Sequence, residues 1–305
     1  AFADGVSKII INAASKDIDA TANCLRSLGA KIKQNGETWE VTPIKNKSIE
    51  KPLLACGESG STLRFLLPVV CALGVNATFE MAGRLPYRPL SPLWEELERM
   101  GCCLSRPTET TIATQGKMHP GEYQIAGNVS SQFVSGLLFA TALLDSNSKI
   151  TVIGQLESKP YVDMTRLALN TFGVNTDCFQ IKGSYPFHSP ASVTVEGDWS
   201  NGAFFLAAKA LGNAVEVTNL HPDSPQGDRA IANLLTNLDC AAHISAADIP
   251  DLVPILAVVY GAKNGAVIED IARLRLKESD RVASVCSMLK QLGTDAVATE
   301  NTLTV

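Results

Sequence analysis

Four stretches of the chain are apolar on nearly every side of a predicted helix: residues 62–73, 133–144, 203–211 and 252–260. A helix without a polar face belongs inside a protein core. Other helical patterns end in an apolar residue plus Gly and are followed by a strand-like run. These ends are Leu28-Gly29, Met100-Gly101, Phe172-Gly173 and Leu292-Gly293, with Leu238-Asp239 as a variant. The repetition predicts a series of small α/β subdomains.

Length and composition fit this α/β prediction. The chain has 305 residues, of which 46% are hydrophobic and 19% are charged, which is enough material for two cores. No apolar run is long enough to cross a bilayer, and the N-terminus lacks the layout of a signal peptide. We therefore expect a soluble protein with two domains.

The cysteines, the histidines and the net charge argue against three classes: disulfide-bonded, metal-binding and nucleic-acid-binding proteins. The eight cysteines form no Cys-x-x-Cys pair, and several lie in apolar helical patterns, which favours reduced core thiols and a cytoplasmic location. The four histidines are scattered, so no metal site is expected. A net charge of −5 argues against a nucleic-acid partner. An anionic ligand would need local positive potential.

The segment Arg-Leu-Lys-Glu-Ser-Asp-Arg at residues 275–281 offers such a potential. Five of its seven residues are charged, and it precedes a helical pattern. Backbone N–H groups and the helix dipole already attract anions to a helix start, and Lys277 and Arg281 add fixed cations beside Glu278. The alternative is an exposed helix start with intrahelical ion pairs.

The segment Gly-Glu-Ser-Gly-Ser-Thr-Leu-Arg at residues 57–64 begins another predicted helix. Gly60 would let a ligand approach the backbone closely, and an Arg follows one turn later. The alternative is a buried helix with a Ser cap, whose Arg64 side chain extends to solvent.

Four further segments place polar groups next to predicted helices: residues 84–90, 128–132, 157–161 and 249–251. They supply a proline-stiffened loop with Arg88, the hydroxyls of Ser130 and Ser131, the pair Ser158 and Tyr161, and the carboxylate of Asp251. Helix capping or a solvated loop explains each segment equally well when it is taken alone, and capping is the commoner role for Asp251.

Taken in order, these segments resemble the enolpyruvyl transferase superfamily, and most closely its 5-enolpyruvylshikimate-3-phosphate synthase family. The resemblance runs through nearly all of the chain. It rests on residues 57–64, 88–89, 128–132, 158–161, 196–198, 226–228, 249–251 and 273–281.

The resemblance implies an α/β (α+β) fold of two domains, each with three helix-and-sheet subdomains and with helix N-termini facing the cleft between them. It places the domains at residues 1–196 and 197–305. It also implies transfer of the enolpyruvyl group of phosphoenolpyruvate to the 5-hydroxyl of shikimate 3-phosphate, with release of phosphate. No cofactor is implied, the partners are these two small molecules, and the family expectation is a monomer.

The resemblance also assigns roles residue by residue. Phosphoenolpyruvate would contact Gly60, Arg88, Gln132 and Arg281. Shikimate 3-phosphate would contact Ser130, Ser131, Ser158, Tyr161 and Lys277. Asp251 would accept the proton of the attacking hydroxyl, Glu278 would handle the proton at the methylene carbon, and Lys277 would offset charge as phosphate leaves.

Some family features have no counterpart in this sequence. A basic N-terminal motif is missing, as are a His-Arg pair, a late lysine and the sixth subdomain, so we expect an incomplete second domain and little or no transferase activity from this chain alone.

Two alternatives stay open. One is the sister transferase that acts on UDP-N-acetylglucosamine, whose reactive Cys is absent from residues 84–87; Cys102 and Cys103 are expected to pack in a core. The other is a non-catalytic binding fragment.

Overall fold

The computed structural model describes residues 1–45, 50–184 and 186–305. These residues form two compact units. The first unit contains Ala1–Leu156 and Val162–Val195, and the second contains Glu157–Tyr161 and Glu196–Val305. The assignment of domains to residues 1–196 and 197–305 stays a prediction. No pattern in the sequence indicates that the short segment Glu157–Tyr161 packs with the second unit.

Three small sheets lie in the described part of the first unit, with strand orders β11-β1-β3-β2, β4-β5-β7-β6 and β10-β9-β8. Their strands are β1 (Ser7–Ile10), β2 (Lys31–Asn35), β3 (Thr38–Thr42), β4 (Leu53–Gly57), β5 (Thr78–Met81), β6 (Cys102–Thr108), β7 (Thr111–Gly116), β8 (Glu122–Ala126), β9 (Ser148–Ile153), β10 (Gln180–Ile181) and β11 (Ser192–Thr194). The helices among these strands are α1 (Lys16–Ser27), α2 (Gly60–Leu73), α3 (Leu93–Arg99), α4 (Ser131–Thr141) and α5 (Lys159–Thr171).

The second unit has a core of its own, and its described residues contain one sheet in the order β12-β13-β15-β14. The strands are β12 (Ala242–Ser245), β13 (Ala266–Glu269), β14 (Val297–Ala298) and β15 (Thr302–Thr304). The helices are α6 (Trp199–Ala210), α7 (Ile231–Leu234), α8 (Val253–Gly261) and α9 (Arg281–Gln291). Both units combine helices with sheets, which confirms the predicted α/β class.

One strand arrangement recurs in these sheets. The pairs β4/β5, β8/β9 and β12/β13 are parallel, and an antiparallel strand is added beside each pair. A parallel pair needs a crossover connection, and here the crossover helices are α2, α4 and α8. These are three of the four helices predicted to be apolar all round, and the fourth is α6. The repeat therefore arises from β-α-β units whose crossover helix is buried.

Glycines end the helices where the sequence predicted. Gly29, Gly101, Gly173 and Gly293 all have positive φ, between 82° and 103°. Such a conformation is easy for Gly and costly for other residues. The predicted helix end at Leu238 is wrong, because α7 makes a single turn and ends at Leu234.

All eight cysteines are free thiols. Cys102 is buried in β6, but the neighbouring Cys103 is exposed, so the prediction that both pack in a core is wrong for Cys103. The physical reason is that successive side chains of a strand point to opposite faces. Within the described ranges, no helix combines the length and the apolar character needed to span a membrane.

Helices α2 and α4 approach so closely that one position tolerates only Gly. A Cβ added at Gly136 would lie 2.2 Å from the carbonyl oxygen of Arg64 and 3.1 Å from Cγ of Pro68. We expect Gly136→Ala to lower the free energy of unfolding by about 2 kcal/mol or more, because backbone atoms must move apart. Chemical denaturation measures this change. Gly5→Ala is the matched control, since its Cβ would meet only Ser189 at 3.6 Å. Equal stability of the two variants would contradict the close approach.

Candidate active site

The candidate residues follow the carboxyl ends of the parallel strand pairs. Gly60 and Arg88 come after β4 and β5, Ser130–Gln132 and Ser158–Tyr161 come after β8 and β9, and Asp251 and Lys277–Arg281 come after β12 and β13. In open α/β sheets this edge is the usual place for ligands. The fold thus places each candidate segment at the corresponding edge of its own sheet.

In the first unit, Gly60 begins α2 beside two arginines. A Cβ at Gly60 would lie 2.6 Å from Nη1 of Arg88 and 3.0 Å from Nη1 of Arg64. Ser59 caps the helix by accepting a hydrogen bond from the backbone N–H of Thr62 at 3.2 Å. The absence of a side chain at Gly60 therefore leaves room for two guanidinium groups at a helix N-terminus, an arrangement suited to an anion.

Arg64 does not extend to solvent, so that alternative is wrong. The residue is 4% exposed, and its Nη1 donates to Oε1 of Gln132 at 2.8 Å. Its guanidinium carbon lies 5.6 Å from the centre of the Phe133 ring, within the range of a cation–π contact. Gln132 is thereby held at the start of α4 by a buried cation that the sequence analysis did not select.

The start of α4 uses one of its two neighbouring hydroxyls as a cap. Ser130 Oγ accepts from the backbone N–H of Gln132 at 3.3 Å. Ser131 is 8% exposed, and no hydrogen bond to another described residue engages its hydroxyl. The cap uses only a lone pair of Ser130 Oγ, so the hydroxyl hydrogens of Ser130 and Ser131 can both be donated to a ligand.

In the second unit, Tyr161, Asp251 and Arg281 form one connected group. The Tyr161 hydroxyl donates to Oδ2 of Asp251 at 2.7 Å, and Nη1 of Arg281 forms a short hydrogen-bonded ion pair with Oδ1 of the same carboxylate. Asp251 does not cap α8: the N-cap residue is Leu252, and no side chain caps that end. The capping alternative is therefore wrong for Asp251.

The environment keeps Asp251 ionised. Burial alone would raise the pKa of its carboxyl, but the charge of Lys277 and the hydrogen bond and charge of Arg281 lower the pKa below its ordinary value. Burial also lowers the pKa of Lys277, and the negative charge of Asp251 opposes that effect. The Asp251 side chain is 33% exposed. A carboxylate beside two cations can accept a hydrogen bond from a ligand hydroxyl, and it can take the hydroxyl proton.

Glu278 lies in the loop between Lys277 and the start of α9. Its side chain is 62% exposed, and Oε2 lies 3.6 Å from Nη2 of Arg281. Asp280 caps α9 by accepting from the backbone N–H of Ala283 at 3.0 Å. Arg281 therefore lies between a partly buried carboxylate, Asp251, and an exposed one, Glu278.

A buried carboxylate, Asp228, also lies near the Tyr161 hydroxyl. The Tyr161 hydroxyl is 3.4 Å from Oδ2 of Asp228, which also accepts a short hydrogen bond from Ser200. Asp228 is 2% exposed, and its Oδ1 has no hydrogen-bond partner among the described residues. Burial raises the pKa of Asp228 to about 6, partly offset by the Ser200 hydrogen bond.

The structure gathers the predicted residues into two groups, one within each unit. The first group is Gly60, Arg88, Ser130, Ser131 and Gln132, and the second is Ser158, Tyr161, Asp251, Lys277, Glu278 and Arg281. Their roles as substrate contacts stay predictions. Sequence reasoning missed Arg64, Asp228, Ser200 and Arg273. The Gln-Gly-Asp motif at residues 226–228 was a signal for Asp228, whereas nothing in the sequence distinguished Ser200.

The buried carboxyl of Asp228 should make stability depend on pH. From an ordinary value of 3.8 its pKa rises to about 6 in the folded protein, so between these values the folded state holds a proton that the unfolded chain has released. Stability contributed by this group therefore falls as the pH rises through that window. The wild type loses this stability as the pH rises, and Asp228→Asn does not. We therefore expect the unfolding free energy of Asp228→Asn, relative to that of the wild type, to increase by up to about 3 kcal/mol from pH 4 to pH 7.

Chemical denaturation across that pH range measures the difference. Asp239→Asn, at an exposed position of the same unit, is the matched control. A difference between Asp228→Asn and the wild type that stays constant with pH would show that Asp228 titrates equally in both states.

Three comparisons relate the chain to known proteins. The family model described as EPSP synthase (3-phosphoshikimate 1-carboxyvinyltransferase) matches residues 1–248 and 240–305. The 3-phosphoshikimate 1-carboxyvinyltransferase of Clostridium kluyveri is 36% identical over 328 residues, covering 100% of this chain and 77% of the relative. The protein of the same name from Clostridium botulinum is 35% identical over 335 residues, with the same two coverages.

A solved EPSP synthase from Acinetobacter baumannii has a similar fold, with a TM-score of 0.77. It is 20% identical, and the match covers 100% of this chain and 76% of that one. The likeness to the solved structure supports the predicted fold. The family model and the clostridial relatives show that the chain belongs to the EPSP synthase family.

Proposed function

We propose that this protein transfers the enolpyruvyl group of phosphoenolpyruvate to the 5-hydroxyl of shikimate 3-phosphate and releases phosphate. Membership of the family supports the reaction, and the names of the relatives specify the acceptor. The single observation that carries the chemistry is the carboxylate of Asp251, held between Tyr161 and Arg281 with a lowered pKa. The matches do not favour the sister transferase that acts on UDP-N-acetylglucosamine.

Asp251 is the proposed base of the addition step. Its carboxylate takes the proton of the 5-hydroxyl while that oxygen bonds to the second carbon of phosphoenolpyruvate. Glu278 delivers a proton to the methylene carbon, which becomes a methyl group, and a tetrahedral intermediate forms. In the elimination Glu278 takes back a proton of this methyl group as the C–O bond to phosphate breaks, which restores the double bond, and the proton on Asp251 leaves with the phosphate. The cations Lys277 and Arg281 offset the charge on the departing phosphate.

The remaining candidates bind the two anions. In the first unit, Gly60, Arg88 and Gln132 are assigned to phosphoenolpyruvate, and Ser130 and Ser131 to shikimate 3-phosphate. In the second unit, Arg281 is assigned to phosphoenolpyruvate, and Ser158, Tyr161 and Lys277 to shikimate 3-phosphate. Arginines suit the carboxylate and phosphate of the donor because their planar forks make paired hydrogen bonds. Hydroxyls suit the ring and phosphate oxygens of the acceptor.

We also propose that the protein acts in the cytoplasm as a monomer. The location is supported by eight free cysteines, a composition typical of a reducing compartment.

Calorimetric titration with shikimate 3-phosphate tests the acceptor, with UDP-N-acetylglucosamine as the competing ligand. We expect selective binding of shikimate 3-phosphate that weakens about 10-fold in both variants: Ser131→Ala loses a donor to the phosphate, and Tyr161→Phe loses an oxygen that can accept from a ring hydroxyl. Preference for the sugar nucleotide would overturn the acceptor assignment.

Replacing the proposed base separates chemistry from binding. We expect Asp251→Asn to lower phosphate release from the two substrates by roughly 10²–10⁴-fold, because the amide cannot accept the hydroxyl proton. Single-turnover measurements with excess protein keep slow release measurable. Asp239→Asn is the control, since it removes an exposed carboxylate from the same unit. Unchanged release in Asp251→Asn would exclude Asp251 as the base.

A further inference from the structure

Arg273 is a nearly buried arginine outside the set of proposed substrate contacts. It lies in the 3₁₀ turn Ala272–Leu276, and its side chain is 11% exposed. Nε pairs with Oε2 of Glu157 at 2.5 Å. Nη2 donates to Oγ of Ser158 at 2.9 Å and to the carbonyl oxygen of Ala247 at 2.7 Å. One guanidinium group therefore joins three segments of the second unit.

Ser158 has a backbone conformation that needs such support. Its φ is +53°, in the left-handed region that residues with a Cβ seldom adopt. Its backbone N–H donates to the carbonyl oxygen of Ala247 at 2.9 Å, so this oxygen accepts hydrogen bonds from both Ser158 and Arg273. The next N–H, that of Lys159, donates to Oδ1 of Asp248 at 3.0 Å. Strained residues persist where their surroundings fix them, and they cluster at ligand sites.

The hydrogen bond from Arg273 also sets the polarity of the Ser158 hydroxyl. An arginine only donates, so Oγ of Ser158 uses a lone pair to accept, and its own hydrogen stays available. Ser158 is 2% exposed, so few orientations of this hydroxyl are open to it. The result is a fixed donor, which is the form that a phosphate oxygen or a ring hydroxyl requires.

We propose that Arg273 is a positioning residue for shikimate 3-phosphate: it holds Ser158 in its left-handed conformation and turns the Ser158 hydroxyl into a donor toward this ligand. Glu157 fixes the guanidinium through Nε, while Nη2 contacts Ser158. Arg273 thus acts through Ser158 and not by touching the ligand. This inference rests on the proposed function.

A double-mutant cycle with Arg273→Ala, Ser158→Ala and the combined variant tests the proposal by calorimetric titration with shikimate 3-phosphate. We expect each single change to weaken binding about 10-fold. The combined variant should be no more than about twofold weaker than the weaker-binding single variant, because the second change removes nothing further. The KM for phosphoenolpyruvate at saturating shikimate 3-phosphate should stay within about twofold, because no proposed donor contact is lost.

Two further variants separate position from charge. Arg273→Lys keeps the charge but cannot reach Glu157, Ser158 and Ala247 together, so we expect it to bind as weakly as Arg273→Ala. Arg26→Ala is the matched control: that arginine also contacts a side chain, Asn23, and a carbonyl, Ile32, but in the first unit. If Arg273→Ala fails to fold, Arg273→Lys and Glu157→Gln replace it in the cycle.

The outcomes distinguish a failure of the proposed function from a failure of the positioning role of Arg273. A wild-type chain that does not bind shikimate 3-phosphate overturns the proposed function and this proposal with it. A wild-type chain that binds, combined with additive effects of Arg273→Ala and Ser158→Ala, overturns only the positioning role. Full restoration by Arg273→Lys would likewise show that charge alone is what Arg273 supplies.

Discussion

The structure depends on burying the crossover helices of the parallel pairs β4/β5, β8/β9 and β12/β13. Helices α2, α4 and α8 connect parallel strands, so they pack inside a core, and their sequences are apolar for that reason. Between α2 and α4 the packing is so close that the helix backbones approach at Gly136. Arg64, whose carbonyl oxygen faces Gly136, also holds Gln132 with its side chain. Packing of the core and placement of a candidate ligand contact are therefore one constraint.

The second unit keeps a partly buried carboxylate ionised. Burying an isolated charge is costly, so a buried carboxylate either takes up a proton or acquires partners. Asp251 has the partners Tyr161, Lys277 and Arg281, and its pKa is lowered. Asp228 shares Tyr161, but no cation in the described part of the chain is paired with it, and its pKa is raised. Two similar carboxyl groups on one phenol thus have pKa values shifted in opposite directions, and the cations Lys277 and Arg281 distinguish the surroundings of Asp251.

Features governed by neighbouring residues could be predicted from the sequence. The buried helices follow from apolar runs, and the helix ends at Gly29, Gly101, Gly173 and Gly293 follow from the freedom of Gly at positive φ. Contacts between distant segments could not be predicted. Asp251 meets a tyrosine 90 positions away instead of capping its own helix, and Ser158 meets an arginine 115 positions away. Motif order indicated which residues matter, but their partners depend on tertiary packing.

Three exceptions to local rules lie at the candidate site, while others, such as the positive φ of Lys51 and Ala191, lie elsewhere. A serine in left-handed conformation, an aspartate that does not cap the adjacent helix and a buried carboxylate oxygen without a partner each raise the energy of the folded state. A chain under no constraint but stability would replace them. Their positions after β9, β12 and α6 coincide with segments that the family motifs mark. Since departures from local consistency are expected where function requires them, this coincidence favours binding chemistry as the reason that these residues are kept.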